Sequence, residues 1–99
     1  MSNIVIRQAS LEDLDALAGL FDEYRQFYGR ESDLMAARTF LQARFNHGES
    51  TLFIAHDLDN PVGFAQLYPS FSSVSMARTF ILNDLYVRPQ IRRKGVARV

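Results

Sequence analysis

Asn83-Asp84-Leu85-Tyr86-Val87-Arg88-Pro89-Gln90-Ile91-Arg92-Arg93-Lys94-Gly95-Val96-Ala97 is the stretch that decides the fold. A strand runs to Val87, Pro89 turns the chain, a basic loop bearing Gly95 follows, and the start of a helix can be read after it. Successive backbone N–H groups at a loop entering a helix point outward unpaired, and the helix dipole adds partial positive charge, so such a loop is an anion-binding device. Gly95 lets the backbone approach a pyrophosphate that a Cβ would hold off, and Ala97 is small for the same reason. Arg92, Arg93 and Lys94 add charge-assisted contacts. The alternative for Gly95 and Ala97 is ordinary helix-entry chemistry.

Charge along the chain points the same way. All 11 acidic residues lie at or before Asp84, whereas Arg88, Arg92, Arg93, Lys94 and Arg98 fall in the last twelve positions. Residues 1–87 carry six basic residues against 11 acidic ones, a charge of −5, and the remainder is +5, which sums to the formal net charge of zero. A small polyanion suits such a tail, and a solvated basic terminus is the other reading. The zero net charge argues against a general nucleic-acid or membrane binder. With 99 residues there is room for one domain, and 47% hydrophobic with 22% charged residues is globular composition. No cysteine occurs, which removes disulfides and thiolate metal sites and leans toward a cytoplasmic setting. His47 and His56 have no second ligand at metal spacing, so no metal site is expected.

Working back from Val87, a long strand is expected from about Met76, with a bulge near Asn83-Asp84 to bend it. Before it lie a polar loop, Ser70 to Ser75, and a strand from Val62 to Tyr68, in which Gly63 allows a close backbone approach. Thr51 to His56 is the strand on the other side of the turn Asp57-Leu58-Asp59-Asn60-Pro61. Two helices precede this meander. The first opens at Ser10, with Asp13 near the positive end of its dipole, carries Leu11, Leu14, Leu17, Ala18, Phe21, Tyr24 and Tyr28 at helical spacing, and stops at Gly29. The second opens at Ser32-Asp33, buries Met35, Ala37, Phe40, Leu41 and Phe45 on a less regular face, and ends near Asn46-His47-Gly48. Ile4 to Arg7 forms a short first strand.

Arg92-Arg93-Lys94-Gly95-Val96-Ala97 fits the pattern R/Q-x-x-G-x-G/A after a strand and a proline turn. In that context it resembles the acetyl-CoA-binding signature of the GNAT superfamily of acyl-CoA N-acyltransferases. The resemblance implies an α+β GNAT-like fold: strand, two helices, a three-stranded antiparallel meander and the start of a third helix. It covers the amino-terminal part of such a domain only, so residues 1–99 are expected to form a single, incomplete N-acetyltransferase domain. It further implies transfer of acetyl from acetyl-CoA, as co-substrate, to a primary amine of a small molecule or protein by direct attack, with no metal. Leu85, Tyr86 and Val87 would offer backbone groups to the pantetheine arm, and Arg92, Arg93, Lys94, Gly95, Val96 and Ala97 would hold the phosphates.

Asp84 is the candidate general base on that strand, against a structural carboxylate bonding the bulge, and Asn83 is a second candidate that can hydrogen-bond but cannot titrate. Tyr24 and Tyr28 read as core aromatics or as part of an acceptor pocket. The alternative function is a catalytically inactive half-domain that binds CoA or only self-associates. A homodimer through the long strand, which presents Phe80, Ile81, Leu82 and Leu85, is expected on either reading.

Overall fold

The computed structural model describes residues 3–89, and within them a helix pair lies against one face of a four-stranded antiparallel sheet. Strand β1 is Ile4–Gln8, a single 3-10 turn spans Leu11–Asp13, helix α1 is Leu14–Phe27 and helix α2 is Leu34–His47. Strands β2 (Thr51–Asp57), β3 (Asn60–Ser72) and β4 (Ala77–Val87) follow, and the spatial order β1-β2-β3-β4 is the sequence order. The three-stranded meander β2-β3-β4 is as expected, and β1 widens the sheet by pairing with β2, Ile4 opposite Asp57 and Gln8 opposite Phe53. The expected start of a third helix lies outside the described residues.

Helical spacing in α1 puts Leu14, Leu17, Ala18, Leu20 and Phe21 on one buried stripe. That stripe packs with Ala37 and Leu41 of α2 and with Leu52, Ile54, Phe64 and Tyr86 of the sheet. Burying each large aliphatic side chain stabilises the fold by about 1.5–3 kcal/mol, so this face carries most of the stability. A smaller cluster on the opposite face joins Ala55, Val62 and Val87 with Ile4 and Ile6.

Both helix ends obey local chemistry. Asp13 accepts from the Ser10 backbone N–H at 2.8 Å and takes both Arg7 guanidinium nitrogens, at 2.8 and 2.7 Å, which ties β1 to the helix entry. Asp33 caps α2 by accepting from Ala36 N–H at 3.0 Å. Buried Asp22 in turn fixes the link between the helices: its carboxylate accepts from Asp33 N–H at 2.7 Å and Ser32 Oγ at 2.6 Å.

Three side-chain and loop expectations need correction. Leu11 and Tyr28 are exposed, since the first belongs to the 3-10 turn and the second follows the last turn of α1. Met35 is exposed too, which leaves Ala37 and Leu41 as the buried residues of α2. The stretch Ser70 to Ser72 is strand, not loop: β3 continues through Pro69, opposite Phe80, to Ser72, opposite Ala77. Pairing of β3 with β2 ends at Leu67, so beyond it, among the described residues, β3 has only β4 as partner and a missing N–H is tolerated as on an edge.

The bulge falls where it was expected. Gln66 pairs with Asp84 but Leu67 pairs with Leu82, so Asn83 is the extra residue. Gly63 is equally legible: a Cβ there would stand 2.9 Å from the Tyr86 carbonyl oxygen, a backbone atom that cannot yield cheaply.

The Arg7 pair, with help from the Ser10 N–H, holds the Asp13 carboxyl down at about 2 from its ordinary 3.8. A carboxyl lowered by folding stabilises the native state above its unfolded value and loses that contribution as pH falls through the folded one. Asp13→Asn is therefore expected to lower the urea midpoint at pH 7, and the two proteins' midpoints should converge as pH approaches 2.

Candidate functional site

The bulge turns one carboxylate inward. Asp84 is 8% exposed and lies on the helix-covered face, where three donors converge on it: Tyr24 Oη at 2.9 Å on Oδ1, and Gln66 Nε2 at 2.8 Å and Asn83 Nδ2 at 3.0 Å on Oδ2. Gln66 is fully buried, and its Oε1 accepts from Ser50 Oγ at 2.8 Å, so a chain Ser50 to Gln66 to Asp84 runs from the residue before β2 across β3 to β4. A buried carboxylate with several donors is a satisfied one.

Tyr24 links this site to the aromatic cluster. Its ring meets Phe64 edge-on at 5.6 Å and Tyr86 at 6.2 Å, and lies 6.1 Å from Phe21. Burial first, and the Asp84 hydrogen bond second, push its phenol up to about 12, so Tyr24 is a protonated donor throughout the neutral range. Tyr68, further along β3, is also raised by burial.

Strand β4 is the outermost strand of the described sheet, with β3 on one side only. Leu85 is exposed, while the side chains of Tyr86 and Val87 are buried in the two core clusters. Over Leu85–Val87 the side chains thus alternate between surface and core on the strand that is outermost among the described residues. At the end of the strand, Arg88 does not join the basic tail. Its guanidinium is clamped by Glu23 of α1, with Nη2 to Oε2 at 2.7 Å, and donates to the Pro61 carbonyl at 3.0 Å. Of the basic residues in the last twelve positions, that leaves Arg92, Arg93, Lys94 and Arg98. Those four, with Gly95, Val96 and Ala97, lie outside the described residues.

The order of elements, the bulged β4 and the signature that follows it can be set against known proteins. Residues 16–99 match the model of the acetyltransferase (GNAT) family. The chain belongs to that family. It is 53% identical over 90 residues to an uncharacterized N-acetyltransferase, YhfO, of Bacillus subtilis, covering 91% of this chain and 60% of that protein. Among solved structures it superposes on a probable acetyltransferase with a TM-score of 0.86 at 49% identity, over 94% of this chain and 63% of the other. A predicted acetyltransferase with acetyl-CoA from Clostridium acetobutylicum shares the fold, with a TM-score of 0.74 at 15% identity over 96% of this chain and 66% of that one. The chain thus spans about three-fifths of the length of the first two GNAT relatives.

Of the candidate residues, Asp84 and Asn83 are brought together with Tyr24, and Leu85, Tyr86 and Val87 continue the same strand. Gln66 and Ser50 are the members that sequence reading passed over. A signal existed for Gln66, which alternates with Phe64 and Tyr68 and so is a polar residue in phase with an apolar face. Among the described residues no cluster of His, Cys, Asp and Glu has metal-binding geometry, and no helix is long and apolar enough to cross a membrane.

Replacing Tyr24 by Phe keeps the ring packing and removes one donor from a buried carboxylate. Tyr24→Phe is expected to cost about 1–3 kcal/mol in chemical denaturation, the penalty for an unsatisfied buried group. A change below about 0.3 kcal/mol would mean that Asp84 does not depend on the phenol.

Proposed function

We propose that the protein transfers an acetyl group from acetyl-CoA to a primary amine of a small molecule or a protein by direct attack. The observation that carries this reading is the Asp84 cluster at the β4 bulge, one strand-end upstream of the Arg92 to Ala97 signature. In this reading the backbone of Leu85, Tyr86 and Val87 would meet the amide-bearing pantetheine arm, as the family resemblance implies. Arg92, Arg93 and Lys94 would neutralise the phosphates, with Gly95, Val96 and Ala97 providing backbone N–H groups at close range.

Acetyl-CoA, when bound, supplies a thioester carbonyl. An amine is protonated at neutral pH, so one proton must leave before its nitrogen can form the C–N bond as the C–S bond breaks. Asp84 is the proton acceptor in this reading. Of its three donors, Gln66 is fully buried and Tyr24 is half-buried, whereas Asn83 is on the exposed side of the bulge. The Asn83 amide is therefore the donor that an incoming ammonium can replace at Asp84 Oδ2, with Gln66 and Tyr24 holding the carboxylate in place. Asn83 then orients the amine or the acetyl carbonyl.

Thiol release from acetyl-CoA over an amine panel tests the activity. Asp84→Asn is expected to lower kcat about 10²–10⁴-fold with a smaller change in KM. Gly95→Glu should abolish acetyl-CoA binding by calorimetry. No heat from the unaltered protein, or full turnover in Asp84→Asn, would overturn the respective part.

A second copy is a partner favoured by one specific observation. β4 carries Phe80, Ile81, Leu82 and Leu85 about half exposed on the strand that is outermost among the described residues, and such a strand invites pairing with another chain. A dimer through β4 predicts that Leu82→Lys shifts light-scattering mass toward the monomer, and a concentration-independent monomer in the unaltered protein would dismiss it.

A further inference from the structure

Helices α1 and α2 do not close completely. Between them lies a cleft of about 350 Å³ lined by Phe21, Arg25, Ala36, Ala37 and Phe40. Its walls are aromatic: the Phe21 and Phe40 rings lie parallel within 5° with centroids 5.5 Å apart. Beside Phe40 on α2, Ala36 and Ala37 present only methyl groups, which leave the space open.

Arg25 is the one charged residue in that lining, a turn beyond Phe21 on α1. Three arginines among the described residues are half-buried, Arg25, Arg44 and Arg88. Arg88 is paired with Glu23 at 2.7 Å and Arg44 lies 3.0 Å from Glu49, but Arg25 has neither an ion pair nor a side-chain hydrogen bond within the described residues. A guanidinium partly withdrawn from water and without an acid is a ready site for a carboxylate, which it can bind through two parallel hydrogen bonds.

The cleft neighbours the Asp84 site through shared aromatic side chains. Phe21 contacts Tyr24 at 6.1 Å and Phe64 at 5.8 Å, and Tyr24 donates to Asp84. Cleft and site therefore share one aromatic floor.

We infer that this cleft selects the acceptor, taking an amine whose apolar or aromatic body rests against the stacked Phe21 and Phe40 rings and whose carboxylate is bound by Arg25. The inference rests on the acetyltransferase reading for what happens to the amine, and on the cleft alone for what binds. An acceptor of this class carries both charges, the carboxylate for Arg25 and the ammonium for Asp84. A simple alkylamine satisfies only the second.

Matched ligand pairs test the assignment by heteronuclear NMR on the protein without acetyl-CoA: phenylalanine against phenethylamine, and leucine against isoamylamine. In at least one pair the carboxylate member should bind tenfold more tightly or better and shift amides of α1 and α2. Arg25→Gln should reduce that member to the level of its match, and Arg25→Lys should restore part of the difference. Equal or undetectable binding within both pairs, or a preference untouched by Arg25→Gln, overturns the inference. Thiol release with the same four amines separates the two readings. Acetylation without carboxylate preference sinks the role of Arg25 and leaves the transferase standing. Arg25-dependent binding with no thiol release from any amine leaves the cleft assignment standing and sinks the transferase.

Discussion

The need to bury Asp84 with its lone pairs satisfied constrains the rest of the domain. A charge taken from water costs several kcal/mol unless donors replace the water it leaves, and here those donors come from three separate elements. Tyr24 is on α1, Gln66 on β3 and Asn83 on the bulge of β4 itself. The site cannot exist without the register that sets Gln66 opposite Asp84, and that register cannot exist without the extra residue at Asn83. Fold and site are consequently one arrangement: the bulge that bends the strand also delivers its carboxylate to the helix face.

A second buried carboxylate, Asp22, works by the same rule toward a different end. By binding Ser32 and the Asp33 backbone, it fixes where α2 begins, and so the separation of α2 from α1. The aromatic cleft between the helices depends on that spacing, since Phe21 and Phe40 stack across it. One acid thus organises the strand side of the domain and another the helix side.

Much of this was legible in the residues. The helical spacing from Leu14 to Tyr24, the turn at Asp57 to Pro61, the bulge and the close approach at Gly63 all follow from local rules that one stretch of chain expresses by itself. The signature at Arg92 to Ala97 was read by resemblance, and family membership agrees with it. What escaped needs partners distant in sequence. Gln66 reads as an ordinary polar residue of a strand until Asp84 and Ser50 are placed beside it. Arg88 reads as part of a basic run until Glu23, more than sixty residues earlier, claims it. The strand at Ser70 to Ser72 was hidden by its serines and by Pro69, because nothing local says that β3 has lost its second neighbour there.

Glu23, Tyr24 and Arg25 are consecutive, yet they serve three destinations: the end of β4, the Asp84 carboxylate and the cleft between the helices. An α-helix turns about 100° per residue, so three neighbours sweep most of its circumference. Point changes in this triplet can each be local. A one-residue insertion or deletion upstream in α1 cannot, because it rotates all three assignments at once and leaves each partner facing the wrong side chain. The length of α1 is for that reason under a stricter constraint than its composition, in contrast to the exposed hairpin tip at Ser73 to Met76, where no such phase is being kept.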